Sequence, residues 1–268
     1  MVSLPSPDFL RELAETLRAG GIDDPELEAQ WIVQDARDEA HAREITQRRA
    51  NHEPLQYLLG KWEFYGLEML VGAGVLIPRA DTETLVESVL CRLRNKPSPV
   101  IADLCTGSGC IALALKSQRP DADVTGIEKQ AAAMKYADAN AERLKLDVQF
   151  SAGDVLDAET AARFHGLDCI VCNPPYLTAA DMAALQTEVT YEPETALAGG
   201  EDGLDFYRAI TAVWKDSLCA DGLLAYEVGV HQADAVAAIL RENGFTDVET
   251  VRDLNGIERV VLGWYRPR

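Results

Sequence analysis

The chain has 268 residues, 47% of them hydrophobic, which allows one large domain or one large domain with a small one. Its 44 acidic and 25 basic residues give a formal charge of −19 without a basic stripe, which disfavours a nucleic-acid partner and favours a basic one. It has no apolar stretch of about 18 residues and no basic-then-apolar start typical of a secretory signal, so we expect a cytoplasmic protein without a membrane span.

Residues 5–50 have the apolar spacing of helices. Ser6 or Asp8 can cap a first helix, Asp24-Pro25 opens a second, and a third covers residues 40–50. A module of this size is too small to be stable alone. We therefore predict an N-terminal helical domain, residues 1–50, that serves in substrate recognition.

Residues 51–84 predict a connector and a β-hairpin. The strand-like segments are 62–71 and 74–77, and a helix starts within residues 78–83. Pro97-Ser98-Pro99 ends this helix and acts as a hinge. The remainder, residues 85–268, is assigned to the larger domain.

From Val100 onwards strand-like and helix-like segments alternate, which is typical of βαβ units and a parallel sheet. The predicted strands are 100–105, 123–128, 148–151, 167–172 and 223–228, and the predicted helices are 110–117, 131–144, 205–214 and 233–243. Segments 248–252 and 260–265 flank Asn255-Gly256, so the last two strands are predicted to be antiparallel. The long connection 177–203 is expected to be functional or disordered.

The tetrapeptide Asn173-Pro174-Pro175-Tyr176 follows the apolar run 167–172, where a buried strand ends. Open α/β sheets bind ligands at such strand ends. The Asn amide offers a donor and an acceptor in one plane, the prolines leave free carbonyls on a stiff segment, and the tyrosine adds a flat apolar face. These groups suit a slot for a planar group that bears an NH₂. The simpler alternative is a turn after a strand, since Asn and Pro are common turn residues.

A second set of residues indicates a cofactor site. The loop 103–109 joins the first strand of the sheet to a helix, and its glycines allow close approach of a ligand. Glu128 ends the next strand and can accept both hydroxyls of a ribose, although a solvated charge is the alternative. Asp154 can reach an adenine amino group or can cap a helix. The loop matches neither a dinucleotide-binding motif nor a P-loop and has no basic residue for a pyrophosphate, which favours a nucleoside-type cofactor.

The six cysteines include one C-x-x-C pair, Cys169 and Cys172. Both lie within a strand-like run, where their side chains point to opposite faces, and there is no second pair. We interpret them as buried structural thiols and expect no metal site.

These features resemble the release factor glutamine methyltransferases of the HemK/PrmC type, a family of class I S-adenosylmethionine-dependent methyltransferases. The resemblance covers the chain from about residue 50 to the end, and the tetrapeptide resembles the [N/D/S]-P-P-[Y/F/W] motif of amino methyltransferases in general. The other matching segments are Glu53-Pro54-Leu55-Gln56-Tyr57, Glu63-Phe64-Tyr65-Gly66-Leu67, Leu76-Ile77-Pro78-Arg79-Ala80-Asp81-Thr82-Glu83, Tyr191-Glu192-Pro193-Glu194-Thr195-Ala196-Leu197 and Gly200-Glu201-Asp202-Gly203-Leu204-Asp205. Three departures are Cys105 where Gly is usual, Glu128 where Asp is commoner, and Val155 where some relatives carry an aromatic residue.

The resemblance implies a Rossmann-like seven-stranded sheet with the last strand antiparallel, in a methyltransferase domain spanning residues 85–268. It implies methyl transfer from S-adenosylmethionine, with S-adenosylhomocysteine as the product, to the Gln side-chain amide of the Gly-Gly-Gln motif in class 1 peptide chain release factors. We further expect a monomer without stable nucleic-acid binding.

The resemblance also implies which residues form the site. The catalytic residues are expected to be Asn173, Pro174 and Tyr176. The cofactor-binding residues are expected to be Asp103, Cys105, Thr106, Gly107, Ser108, Gly109, Glu128, Asp154, Val155 and Asn173. The substrate-binding residues are expected to be Pro78, Arg79, Glu83, Asn173, Pro174, Pro175 and Tyr176. For Arg79 the alternative is an ion pair with Glu83, four positions on.

Two other functions fit parts of the pattern. A nucleic-acid amino methyltransferase acting on N6 of adenine can use the same slot for a flipped base, but the charge of −19 speaks against it. A scaffold that binds a partner without turnover is disfavoured because Asn173, Gly107, Gly109 and Glu128 are all intact.

Overall fold

The N-terminal part of the chain is a helical module with a core of its own. The computed structural model describes residues 6–266. Four helices make up the module: α1 (Pro7–Ala19), α2 (Pro25–Asp35), α3 (Glu39–Ala50) and α4 (Leu55–Leu59). Of the two caps predicted for α1, Ser6 and Asp8, the structure has Ser6, which accepts the N–H of Phe9 at 3.1 Å. The core includes Leu13, Ile32, Ile45 and Leu55, so it extends past residue 50, where we predicted the module to end.

A short hairpin connects this module to the main domain. Strand β1 (Lys61–Phe64) pairs with β2 (Leu67–Leu70) in antiparallel register. The prediction of strands at 62–71 and 74–77 is wrong, because the chain turns at Tyr65-Gly66 instead. Both of these residues have positive φ, 52° and 73°, as a two-residue hairpin turn with the twist of β-strands requires. Residues 74–77 form no strand.

The main domain is a seven-stranded sheet with helices on both faces. Its helices are α5 (Glu83–Leu93), α6 (Cys110–Gln118), α7 (Ala131–Leu144), α8 (Ala158–Ala161), α9 (Ala179–Ala183), α10 (Asp205–Trp214) and α11 (Ala233–Glu242). Its strands are β3 (Val100–Leu104), β4 (Asp123–Glu128), β5 (Gln149–Ala152), β6 (Leu167–Cys172), β7 (Leu218–Glu227), β8 (Phe245–Arg252) and β9 (Glu258–Tyr265). Helix α5 begins at Glu83, within the predicted range 78–83. The domain boundary that we predicted between residues 84 and 85 therefore falls inside this helix.

The strand order β5-β4-β3-β6-β7-β9-β8 confirms the predicted fold class. The five strands β3, β4, β5, β6 and β7 are parallel to one another. The last strand, β9, is antiparallel to both of its neighbours, β7 and β8. The chain first builds outwards from β3 to β5 and then returns to place β6 on the other side of β3. This reversal opens a crevice at the carboxyl ends of β3 and β6, where such sheets bind ligands.

The two faces of the sheet carry separate apolar clusters. Phe64 and Met69 of the hairpin pack in the cluster that also contains α5 and α6, so the hairpin shares the core of the main domain. Cys169 belongs to this cluster and Cys172 to the one on the opposite face, and both are fully buried free thiols, as predicted. Within residues 6–266, no helix is both long and apolar enough to span a bilayer.

Candidate active site

The loop after β3 has a strained backbone that turns sharply into α6. Cys105, Gly107 and Gly109 all have positive φ, at 57°, 58° and 81°. A β-carbon on Gly109 would lie 2.8 Å from the ring of Phe150, so only glycine fits there. Cys105, by contrast, has a backbone conformation that residues other than glycine rarely adopt. The positive φ at position 105 thus explains why the family that this chain resembles usually has glycine there.

Asp103 lies behind this loop and holds it. Its side chain is fully buried, and Oδ2 accepts the hydroxyl of Thr106 and the N–H of Ala112 at 3.2 Å. Burial raises the pKa of Asp103 to about 7, against the effect of these hydrogen bonds. Asp103 is not among the residues that line the adjacent cavity. The structure therefore places it beneath the loop, where it supports residues that reach the cavity.

A cavity of about 380 Å³ opens at the carboxyl ends of β3, β4 and β6. It is bounded by the loop after β3, by the ends of the neighbouring strands and by the segment before α5. Of the predicted site residues, it is lined by Pro78, Arg79, Cys105, Thr106, Gly107, Ser108, Glu128, Asp154, Val155, Asn173 and Pro175. Its size and mixed lining suit a nucleoside-type ligand.

Glu128 stands at the end of β4 and is almost buried, at 8% exposure. Oε2 accepts the N–H of Gly107 at 2.9 Å, and Oε1 accepts the N–H of Gln130 at 2.7 Å. A carboxylate has about four acceptor positions, so each oxygen keeps one for a further donor. The side chain is thus fixed in the cavity wall as an acceptor. A solvated charge at a strand end, the alternative considered from the sequence, would not need these two hydrogen bonds.

Asp154 lines the same cavity and is more exposed than Glu128. Oδ2 accepts a charged hydrogen bond from Lys129 at 2.7 Å, and Oδ1 accepts the N–H of Leu156 at 3.0 Å. The ion pair with Lys129 lowers the pKa of Asp154, so the carboxylate is ionised at neutral pH. Asp154 does not cap a helix, since the cap of α8 is Asp157.

A second cavity, of about 350 Å³, adjoins the first. The two share four lining residues: Leu76, Arg79, Asn173 and Ala196. Pro174, Tyr176 and most lining residues of the 177–197 segment belong to the second cavity alone, whereas Pro193, Glu194 and Thr195 line only the first. Asn173 thus stands where a ligand in one cavity meets a ligand in the other.

The tetrapeptide is held by contacts that an ordinary turn would not need. Nδ2 of Asn173 donates to Oγ1 of Thr82 at 3.3 Å, and the Tyr176 carbonyl accepts Nε2 of Gln232 at 2.9 Å. The Tyr176 hydroxyl contacts Glu227 at 3.4 Å. Burial and the nearby Glu227 raise the pKa of Tyr176, so the phenol stays neutral. The four residues form a rigid wall between the cavities.

Arg79 is paired differently from the alternative raised by its sequence. Its guanidinium binds Glu192, on the long segment after the tetrapeptide, and not Glu83. Glu83 instead accepts the N–H of Tyr65 at 2.8 Å and so supports the hairpin turn. Glu83 lines neither cavity.

The long segment 177–203 is ordered by contacts to three parts of the chain. Glu192 accepts the N–H of Ile77 at 2.9 Å in addition to Arg79. Glu188 binds Arg49 of α3 at 3.1 Å and Nδ1 of His52 at 2.8 Å. Of the two outcomes expected for this segment, function or disorder, the structure favours function: the segment forms a wall of the second cavity and connects it to the N-terminal module.

The sequence analysis missed Thr82, Glu192 and Glu227 as parts of the site. Glu227 carried a signal of the kind used for Glu128, a carboxylate at the end of an apolar strand. Thr82 and Glu192 had no such signal, since each owes its role to a distant partner. Among residues 6–266, no group of three or more His, Cys, Asp or Glu side chains is arranged to hold a metal ion.

Comparison with known proteins agrees with this geometry. A family model described as "Methyltransferase small domain" matches residues 80–201. The chain is 41% identical to a release factor glutamine methyltransferase of Geobacter sulfurreducens, over 91% of this chain and 90% of that one. It is 43% identical to a protein of the same description from Thermodesulfovibrio yellowstonii, over 84% and 81% of the two chains.

A solved structure of a methyltransferase from Pyrococcus furiosus has the same fold. It is 17% identical, covers 76% of this chain and 91% of its own, and superposes with a TM-score of 0.55. At this identity the likeness concerns the fold alone.

Proposed function

The chain belongs to the family of release factor glutamine methyltransferases, and we propose that it methylates the Gln side-chain amide nitrogen in the Gly-Gly-Gln motif of class 1 peptide chain release factors. The methyl donor is S-adenosylmethionine. The observation that carries the proposal is the position of Asn173-Pro174-Pro175-Tyr176 at the junction of the two cavities. An acceptor amide in the second cavity can thus face a donor in the first.

The residues of the first cavity fit S-adenosylmethionine. Glu128 offers fixed acceptors for ribose hydroxyls, and Asp154 offers an ionised carboxylate for an adenine amino group. The space in front of Gly107 is open, because a β-carbon placed there would meet its nearest atom at 3.9 Å. When bound, S-adenosylmethionine supplies a sulfonium methyl group as the electrophile.

The second cavity orients the nucleophile. An amide nitrogen is a poor nucleophile because its lone pair is delocalised into the carbonyl. Oδ1 of Asn173 and the carbonyl of Pro174 each accept one hydrogen of the substrate amide, which turns the lone pair towards the first cavity and favours positive charge as it develops on nitrogen. Tyr176 stacks on the amide plane. The proton becomes acidic only after nitrogen has been alkylated, so attack needs no strong general base.

The main catalytic contribution of Asn173, Pro174 and Tyr176 in this proposal is to orient the substrate amide. In ideal intramolecular reactions it supplies up to roughly 7–11 kcal/mol of the barrier. A stiff Pro-Pro segment between two cavities is suited to this task, because neither proline can rotate about φ. By the same proposal, Pro78 and Arg79 bind the substrate side, and the N-terminal domain meets the release factor.

We place this activity in the cytoplasm, where release factors act in translation, and expect the enzyme to work as a monomer without nucleic acid. The charge of −19 supports a protein substrate over DNA or RNA. Light scattering of the purified protein tests the oligomeric state.

Mass spectrometry tests the proposed function. A purified class 1 release factor is incubated with the protein and S-adenosylmethionine, beside a release factor whose Gly-Gly-Gln glutamine is replaced by alanine. We expect a gain of one methyl mass on the Gly-Gly-Gln peptide and none on the alanine variant. Labelled DNA and RNA serve as parallel substrates; methylation of these, with no gain on the release factor, would overturn the proposal.

A further inference from the structure

Residues 184–192 form a wall of the second cavity that the apolar core does not hold in place. Val189 lines this cavity, yet no residue from 184 to 191 is buried. In the part of the chain that the structure describes, the side-chain hydrogen bonds between this wall and other segments come from two residues, Glu188 and Glu192. A segment with few buried contacts opens easily. The position of the wall therefore depends on these two anchors.

The two anchors lead to different parts of the molecule. Glu192 binds Arg79, which lines both cavities. Glu188 leads to the N-terminal module, because its Oε1 accepts Nη1 of Arg49 at 3.1 Å and Nδ1 of His52 at 2.8 Å. Burial by itself raises the pKa of Glu188, but the hydrogen bonds from His52 and Arg49 outweigh this effect and lower it, so the carboxylate is ionised at neutral pH.

Arg49 is fixed within the module before it reaches Glu188. It lies in the last turn of α3 and is 9% exposed. Its Nε and Nη2 form a bidentate pair with the Glu28 carboxylate of α2, at 2.7 and 3.2 Å. Because the guanidinium is planar and rigid, this pair sets the direction of Nη1, which lies 3.4 Å from the Glu53 carbonyl as well as contacting Glu188. The burial of Arg49 leaves it little surface for direct contact with a large partner.

We propose that Arg49 is a positioning residue that, through Glu188, holds the 184–192 wall where the acceptor amide meets Asn173. This role rests on the proposed glutamine methylation. It gives the N-terminal module a second task besides meeting the release factor, since the module then completes the acceptor cavity. Without the Arg49–Glu188 pair, the wall keeps its Glu192 anchor alone, and the substrate amide is oriented less well.

Two arginines of α3 allow a matched comparison. Arg49→Met removes the guanidinium and keeps an apolar stem, and Arg43→Met makes the same change on the same helix. Arg43 also forms a bidentate pair, with Glu12 of α1 at 2.7 and 3.2 Å, but this pair stays inside the module. A general weakening of the module should therefore affect both variants, whereas loss of the wall should affect Arg49→Met alone.

Variants of Glu188 act on the same contact from the other end and leave the pair between Arg49 and Glu28 intact. Glu188→Ala removes the acceptor. Glu188→Gln can keep an oxygen in the place of Oε1, where the hydrogen bonds of both Arg49 and His52 end, so it should preserve the wall. These variants keep the inference testable if Arg49→Met fails to fold.

We expect kcat for release factor methylation to fall at least about tenfold in Arg49→Met and in Glu188→Ala. The double variant should lose no more than about threefold beyond the larger single loss, because both changes remove one contact, whereas independent losses would multiply. Glu188→Gln and Arg43→Met should stay within about threefold of the unmodified protein. KM for S-adenosylmethionine should change by less than about threefold in all variants, because the first cavity is untouched.

Four kinetic results would overturn the inference. The first is a kcat of Arg49→Met and Glu188→Ala within about twofold of the unmodified protein. The second is a pair of losses that multiply in the double variant. The third is an equal loss in Arg43→Met, which would indicate a weakened module. The fourth is a rise in KM for the release factor at constant kcat, which would assign Arg49 to docking.

Amide hydrogen exchange tests the contact without catalysis. If the unmodified protein transfers no methyl group to a release factor, the proposed function fails, and exchange in peptides that cover residues 184–192 then tests the inference. The Glu192 N–H, bonded to the Val189 carbonyl at 3.0 Å, reports on this wall. Exchange there should be at least about tenfold faster in Arg49→Met and Glu188→Ala than in the unmodified protein and in Arg43→Met. An unchanged exchange rate in the first two variants would refute the role of Arg49.

Discussion

The carboxylate of Glu192 joins two segments that are more than a hundred positions apart. One oxygen pairs with the Arg79 guanidinium, and the other accepts the N–H of Ile77 at 2.9 Å. The Glu192 side chain is almost completely buried, whereas that of Arg79 is 39% exposed and lines both cavities. The pair therefore fixes a wall of the acceptor cavity.

Replacing Glu192 should loosen this wall. In Glu192→Ala the Ile77 N–H is left buried without a partner, so we expect a loss of about 1–3 kcal/mol in the free energy of unfolding. Glu192→Gln keeps an acceptor and should lose less. Urea unfolding measures both, with Glu201→Ala, an exposed acid of the same segment, as the control. Equal stability of the alanine and unmodified proteins would contradict this account of the wall.

Asn173→Ala should remove nearly all methyl transfer and leave cofactor binding. The alanine has no group to accept the substrate amide hydrogen, whereas Glu128 and Asp154 remain in place for the cofactor. Calorimetry with S-adenosylhomocysteine should give an affinity within about threefold of the unmodified protein, a difference below about 0.7 kcal/mol. If affinity fell in proportion to activity, the assigned role of Asn173 would be wrong.

Glu128→Ala should have the opposite effect. The variant loses two acceptors for ribose hydroxyls and releases the Gly107 N–H, so we expect S-adenosylhomocysteine affinity to fall by at least about tenfold, or 1.4 kcal/mol. Glu128→Asp, which matches the commoner residue of the family, keeps the charge and should retain most of the affinity. Calorimetry on the two variants side by side checks this; equal losses would show that the carboxylate itself is not the ligand.

Cys105→Gly should stabilise the protein. The left-handed backbone costs a residue with a β-carbon about 1–2 kcal/mol, and the extra chain entropy of glycine takes back about 0.5–1 kcal/mol. The net gain is up to about 1.5 kcal/mol, which corresponds to a rise in Tm of up to about 6 °C. Cys105→Ala is the control, because it removes the thiol and keeps the β-carbon. A similar rise in both variants would mean that the thiol, and not the backbone, carries the strain.

Asp103 should make stability depend on pH. Its pKa of about 7 in the folded protein lies above its ordinary value, so the folded state binds more protons between these values and stability falls as the pH rises through this range. The slope from one group is at most about 1.4 kcal/mol per pH unit.

Asp103→Asn should remove this contribution, because asparagine stays neutral. Its free energy of unfolding relative to the unmodified protein should rise between pH 5 and pH 8, as measured in urea. Asp123→Asn, at an exposed aspartate, should show no such trend. A difference that stays constant with pH would show that Asp103 is ionised throughout.

Segments with local signals were predicted well from the sequence. The bounds of β4, β6, α7 and α10 agree with the prediction to the residue. Buried parallel strands are continuous apolar runs, and amphipathic helices repeat every 3.6 residues, so both patterns are visible in a short window. The hairpin was misplaced because its turn depends on two residues with positive φ, and Tyr65 gives little sign of this.

The sequence by itself determined the sheet, the tetrapeptide at the end of β6, and the carboxylates Glu128 and Asp154 at neighbouring strand ends. Only the tertiary structure decided that Arg79 binds Glu192, that Glu83 supports the hairpin, and that Thr82 accepts the side-chain N–H of Asn173. The physical reason is that a motif at the end of a strand consists of consecutive residues and can be recognised in a short stretch of sequence. Buried polar partners, in contrast, come from segments dozens of positions apart, which become neighbours only when the strand order of the sheet is formed.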